Sequence, residues 1–204
     1  MIDPTYAQEV FDYLYGNIKG YEISNAARAK FSGGTEKLLY GELPFDTWRK
    51  IVEFANPVQR GVFFDLGSGT GRVVMQSHLL FDFKKSIGVE LLDGLHDKAC
   101  EVKENFDHSI KPQIQNHLEG REIKFIKDSF FNVSLQEADL IFMNHPFKEG
   151  EDFLRLEEKF LNELKPGTKI VTIIRALKNP AFKYLGKQTF KFSWGDSTAH
   201  FCEV

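Results

Sequence analysis

The stretch VFFDLGSGTGRVV, residues 62 to 74, sets an apolar run directly before three glycines at alternate positions, Gly67, Gly69 and Gly71. An apolar run of strand length, then glycine, then a helical pattern reads as a strand turning into a helix. Glycine at such a turn permits positive φ and lets the backbone approach a ligand closely. Several ligands use a loop of this kind, so its neighbours must decide which one it serves.

Outward from that turn, apolar runs at Val62 to Phe64, Ile87 to Val89, Ile123 to Ile126, Leu140 to Met143 and Ile170 to Ile174 alternate with longer helical patterns. Five such units predict a parallel sheet with helices on both faces. Phe45, Trp48, Ile51 and Val52 lie on one face of a helix stopped by Pro57, and Phe153, Leu156, Phe160 and Leu164 mark another stopped by Pro166. Lys187 to Trp194 and Thr198 to Val204 are β-like stretches joined at Gly195-Asp196-Ser197, which predicts an antiparallel hairpin. The expected fold is α/β and Rossmann-like, a mostly parallel seven-stranded sheet closing on that hairpin. Ahead of it, Tyr6, Val10, Phe11, Leu14 and Ile18 recur at helical spacing, and the small residues Ser32, Gly33, Gly34 and Thr35 read as a hinge. Residues 1 to 36 are therefore expected to form a helical extension, and residues 37 to 204 the main domain.

Composition narrows the function. At 204 residues, 42% hydrophobic and 27% charged, the chain suits one ordinary core. A net charge of -3 argues against holding a nucleic-acid backbone by bulk charge, although a local basic patch stays open. Cys100 and Cys202 lack metal or redox spacing and read as reduced thiols, and no metal site is expected. No stretch reaches the roughly 18 apolar residues a membrane span needs, so a soluble, cytoplasmic protein is expected.

The loop does not complete a dinucleotide fingerprint, because Arg72 stands where G-x-G-x-x-G needs its last glycine, and no G-K-[ST] follows to make a phosphate loop. Without either phosphate signature, Gly67, Ser68, Gly69 and Gly71 better suit S-adenosylmethionine, a nucleoside with a sulfonium and a zwitterionic tail. Asp65, at the end of the first strand, is placed to fix the ligand's ammonium. Glu90 ends the second strand, where one carboxylate can accept from both ribose hydroxyls, with Leu91 beside it. After the third strand, Asp128 can accept from the adenine amino group, with Ser129 and Phe130 around the ring.

The segments LLYGELPFDTW at residues 38 to 48, FFDLGSGTGRVVMQ, IGVEL, DSFF, IFMNHPF and FSWGDSTAHF, taken in order, resemble the DOT1-type lysine methyltransferases over roughly residues 36 to 204. The resemblance implies that Tyr40, Gly41 and Glu42 fold over the methionine end of the cofactor. It also implies methyl transfer to a protein lysine, with no membrane or metal partner. Asn144 and Tyr40 are the expected catalytic positions, Asn144 orienting the acceptor nitrogen. Phe131, His145, Pro146, Phe147 and Trp194 are the expected substrate walls. Asn144-His145-Pro146-Phe147 departs from the family's Asn-Asn-Phe type segment toward the Asn-Pro-Pro-Tyr type of enzymes that methylate adenine or glutamine. That substrate class, nucleic acid included, and a cofactor-binding module without catalysis remain open alternatives.

Overall fold

The computed structural model describes residues 2–33, 38–144 and 150–204. Its sheet has seven strands: β1 (Val62–Leu66), β2 (Lys85–Glu90), β3 (Glu122–Lys127), β4 (Leu140–Met143), β5 (Lys169–Ile173), β6 (Lys183–Phe192) and β7 (Gly195–Glu203). They lie in the order β3-β2-β1-β4-β5-β7-β6. The first five run parallel, and β7 is antiparallel to both β5 and β6. The mostly parallel sheet with its terminal hairpin is thus as expected. β1 lies between β2 and β4 with every residue buried, which is why Val62 to Phe64 reads as a continuous apolar run and not as an alternation.

Helices α1 (Pro4–Tyr15), α2 (Gly20–Lys30), α3 (Phe45–Ala55), α4 (Arg72–Leu80), α5 (Asp93–Asn105), α6 (Lys111–Ile114) and α7 (Glu151–Glu163) surround the sheet. The pleat of β1 divides the core. Phe64 and Leu66 pack with Ile87, Ile141 and the α7 residues Phe153, Leu156 and Phe160. Phe63 points the other way, to Trp48, Ile51 and Val52 of α3. α3 ends as its sequence directs: Asn56 takes φ 45, the left-handed cap that asparagine tolerates, and Pro57 follows.

Two local expectations are corrected. The hairpin turn is Ser193-Trp194, with Phe192 paired to Gly195 and Phe190 to Ser197. Small residues opposite two inward phenylalanines let the ladder run past the glycine, so Gly195-Asp196-Ser197 is strand and not turn. The helix expected to reach Ile18 ends at Tyr15, and α2 follows it unforeseen. α1 buries Ala7, Val10, Phe11, Leu14 and Tyr15 in one cluster with Val74, Met75 and Leu79 of α4. Gly34 and Thr35 of the expected hinge lie outside the described residues.

Because β1 pairs with β2 on one side and β4 on the other, the chain reverses direction across the sheet at β1, and the carboxyl ends of these strands open a crevice there. Trp48 holds the layer beneath it. It is fully buried, its indole N–H donates to Ser77 Oγ at 2.9 Å, and its ring centroid lies 5.3 Å from Phe63 and 4.8 Å from Phe142. Trp48→Ala is expected to lower stability by about 3–5 kcal/mol, read as a lower urea midpoint at unchanged slope. A loss below about 1 kcal/mol would mean that the layer does not rest on this ring.

Candidate functional site

The turn after β1 is built by hydrogen bonds to β2. Gly67 and Ser68 both donate their amides to the Val89 carbonyl, at 2.8 and 3.0 Å, and the Gly69 amide donates to Glu90 Oε2 at 2.8 Å. Gly67, Gly69 and Gly71 take φ of 88°, 55° and 79°, which only glycine adopts at little cost. At Gly69 a second constraint applies, since a Cβ there would meet the Tyr40 ring at 2.8 Å. Gly71 does not line the cavity; it sits where a Cβ would strike Phe125 and Ala99, so its part is in packing.

Above the loop is a cavity of about 260 Å³. The ends of β1 to β4 and the segment 38–43 line it, and they bring together Tyr40, Gly41, Glu42, Asp65, Gly67, Ser68, Gly69, Glu90, Leu91, Asp128, Ser129, Phe130, Phe131 and Asn144. Nearly every residue expected at a cofactor site thus converges on one space. Its charge is lopsided. Among the described residues Glu42, Asp65, Glu90 and Asp128 face it, against the single guanidinium of Arg72.

Glu90 is buried and uses both oxygens, Oε1 accepting from the Leu92 amide at 2.9 Å and Oε2 from Gly69. Burial pushes its carboxyl up, opposed by those amide donors. Asp65 is also buried, and desolvation first, then the Glu90 charge, hold it well above the usual carboxyl range. Asp128 accepts from the Ser129 amide at 2.7 Å and from the Asn132 side chain at 2.8 Å, both at Oδ1.

The Tyr-Gly-Glu segment is closed over the loop. The Tyr40 hydroxyl donates to Glu42 Oε1 at 3.0 Å and lies 3.1 Å from Thr70 Oγ1. Burial is the main reason its phenol stays protonated, so it acts as a fixed donor. Arg72 reaches Glu42 at 3.8 Å while its guanidinium rests on the rings of Phe11 and Tyr15, at 5.1 and 4.9 Å from their centroids. The Tyr15 hydroxyl donates to the Thr70 carbonyl at 3.2 Å. Helix α1 therefore holds the arginine that faces the lid.

Trp194 is not part of the cavity lining. Its indole packs on Gly41 from outside and donates to Ser197 Oγ at 2.9 Å, so it braces the lid. Phe131 lines the cavity under the Arg155 guanidinium, 4.2 Å from its centroid. His145, Pro146 and Phe147 lie outside the described residues. Thr70, Arg72 and Ser24 are cavity residues the sequence reading did not assign. Arg72 was visible only as a departure from the dinucleotide pattern, and Ser24 carried no signal. Among the described residues no group of histidine, cysteine and carboxylate side chains is placed to hold a metal ion, and no helix is long and apolar enough to cross a membrane.

Known proteins match this arrangement. The family described as "Histone methylation protein DOT1" matches residues 24–189. A protein-lysine N-methyltransferase of Saccharolobus islandicus is 31% identical over 133 residues, covering 65% of this chain and 74% of that protein. An H3 lysine-79 specific histone-lysine N-methyltransferase of Gibberella zeae is 32% identical over 174 residues, covering 80% of this chain; the chain spans 33% of that relative's length. In fold, the chain is similar to an RNA methyltransferase of Salinibacter ruber solved with S-adenosyl-L-homocysteine, with a TM-score of 0.56 and 19% identity over 80% of this chain and 93% of that one. The resemblance read from the lid, the glycine loop and the strand-end acids holds: the chain belongs to the DOT1 family of S-adenosylmethionine-dependent methyltransferases.

Proposed function

We propose that the protein transfers a methyl group from S-adenosylmethionine to the side-chain amine of a lysine in a protein substrate. The observation that carries the cofactor is the charge of the cavity. A phosphate-bearing nucleotide would meet four carboxylates there, whereas a sulfonium and an ammonium are stabilised by them. The fit extends to polar groups without partners. The Ser24 and Ser68 hydroxyls and Arg72 Nε are buried at the cavity with no partner among the described residues. The named activities of the Saccharolobus and Gibberella relatives support lysine as the acceptor. The unpaired cysteines Cys100 and Cys202 suit a reducing, cytoplasmic compartment.

Bound cofactor supplies an electrophilic methyl carbon on a positively charged sulfur. The protein's task is then positioning, desolvation and proton management. Glu90 and Asp128 are placed to hold the nucleoside, and Asp65 with the closed Tyr40–Glu42 lid to hold the amino-acid end. Asn144, following β4 at the cavity edge, is placed to accept from the acceptor nitrogen and aim its lone pair. A free lysine amine has a pKa of ~10.4 and must shed its proton before attack, which the apolar wall of Phe131 and Phe142 favours by disfavouring charge.

The decisive experiment incubates the full chain with radiolabelled S-adenosylmethionine and protein, RNA and DNA pools separately. Label in protein, at lysine, is expected; label confined to nucleic acid would overturn the acceptor. On the substrate so found, Asn144→Ala should slow transfer by about 2–4 kcal/mol in transition-state terms with little change in cofactor affinity. Asn144→Asp should bind cofactor yet transfer poorly at pH 7, because its charge keeps the lysine protonated, and recover partly at higher pH. Full activity in both variants would remove Asn144 from the chemistry.

Proton linkage offers a separate check. Asp65 and Glu90 have raised pKa values, so between the ordinary carboxyl range and those raised values the folded protein binds more protons than the unfolded chain. Stability without cofactor should therefore fall as pH rises through that window. A cationic ligand favours the ionised carboxylates, so cofactor binding should release protons and weaken on acidification. Calorimetry in two buffers of different ionisation heat measures this; heats independent of the buffer would place the ligand's charge away from Asp65 and Glu90.

A further inference from the structure

Helix α2 packs against the cavity with a face of small residues. At Gly20 a Cβ would lie 2.2 Å from the Tyr40 hydroxyl and 2.3 Å from Glu42 Oε1, so the helix touches the lid directly there. Two turns on, Ala27 and Ile23 meet Gly94 at the start of α5, at 3.4 and 3.8 Å from its Cβ position. Tyr21, next to Gly20, sets its ring edge-on to Tyr40 at 5.3 Å and bonds Ser193 Oγ at 2.7 Å. Each end of α2 is thereby fixed, one to the lid and one to α5.

Ser24 lies one turn after Gly20 on this same face. It is only 1% exposed, it lines the cavity, and its hydroxyl has no partner among the described residues. A buried helical serine ordinarily returns its hydroxyl to the carbonyl four residues earlier, and this one does not. A hydroxyl buried without a partner costs stability, so its retention facing a cavity marks a place where a ligand supplies the bond.

The neighbours indicate which part of the ligand. The Gly20 end of α2 contacts Tyr40, which covers Gly69, while the Ala27 end clusters with Leu92 and Leu95. Gly69 and Leu92 both donate their amides to Glu90. Ser24 lies between those ends in sequence and lines the same cavity as Glu90. A carboxylate offers about four acceptor positions, so Glu90 keeps acceptor capacity beyond its backbone donors. We propose that Ser24 hydrogen-bonds a ribose hydroxyl of the cofactor, across the ring from Glu90, which makes α2 a wall of the cofactor site. The proposal rests on the S-adenosylmethionine reading above.

Titration calorimetry of the full chain with S-adenosylhomocysteine and its 2′-deoxy and 3′-deoxy analogues tests it. Ser24→Ala should bind S-adenosylhomocysteine about five- to tenfold more weakly than the unaltered protein. With the analogue lacking the contacted hydroxyl, the two proteins should bind alike. Without ligand, the melting temperature of Ser24→Ala should be unchanged or higher, because an unpaired buried hydroxyl has been removed. Should the alanine variant fail to fold, Ser24→Cys keeps the volume with a much weaker donor and makes the same comparison. Equal affinity of Ser24→Ala and the unaltered protein for S-adenosylhomocysteine would overturn the proposal while leaving the cofactor assignment standing. A loss that persists with both analogues would also overturn it, since the contact would then not be to the ribose. If the unaltered protein binds no S-adenosylhomocysteine, the cofactor assignment itself fails.

Discussion

Everything at the mouth of the sheet depends on one buried carboxylate. Glu90 grips the Gly69 amide with one oxygen and the Leu92 amide with the other, joining the turn after β1 to the start of α5. Without that bridge the glycine loop would lose its tie to the end of β2 at Gly69, the residue that Tyr40 covers. The cost of burying a charge is offset in part by the amides, and the remainder leaves the site acidic and expectant of a cation. Structure and ligand preference thus share one cause.

The lid shows the same economy of means. Tyr40, Glu42, Thr70 and Arg72 form a chain of contacts whose far end is seated on two rings of α1. Arg72 occupies the place where a dinucleotide-binding loop would put glycine, and there its side chain spans the gap between loop and lid. In a dinucleotide loop that third glycine lets helix and strand pack closely, whereas here the position carries a side chain that reaches Glu42. One substitution in the loop pattern therefore accompanies a different class of ligand.

The parts of this site that sequence could disclose are those governed by local periodicity or backbone chemistry. β1 was legible because a strand buried on both faces carries an apolar run, here Val62 to Phe64, and the loop because only glycine accepts its dihedral angles at little cost. The acids at strand ends were legible because a charge that interrupts an apolar run has few places to go. Helix α2 escaped notice for the opposite reason. Its inward face is Gly20, Ser24 and Ala27, small residues that give no hydrophobic period, and its contribution is close approach. Gly195 suggests a turn in the sequence, but the pairing of Phe190 with Ser197 and Phe192 with Gly195 puts the turn at Ser193-Trp194. Trp194 packs on Gly41 outside the cavity lining, a placement that only three-dimensional neighbours can disclose.

The seating of Arg72 on Phe11 and Tyr15 reaches beyond the architecture of the lid. Because the same guanidinium faces both α1 and Glu42, any fluctuation that lifts α1 from α4 also unseats a wall of the cavity. Local opening of a helix and release of a ligand then become one thermodynamic event, and occupancy of the cavity suppresses the opening by mass action. Amide protons in the first helix of the chain, which make no contact with the cavity, would in this way keep a record of ligand concentration in their rates of exchange with solvent.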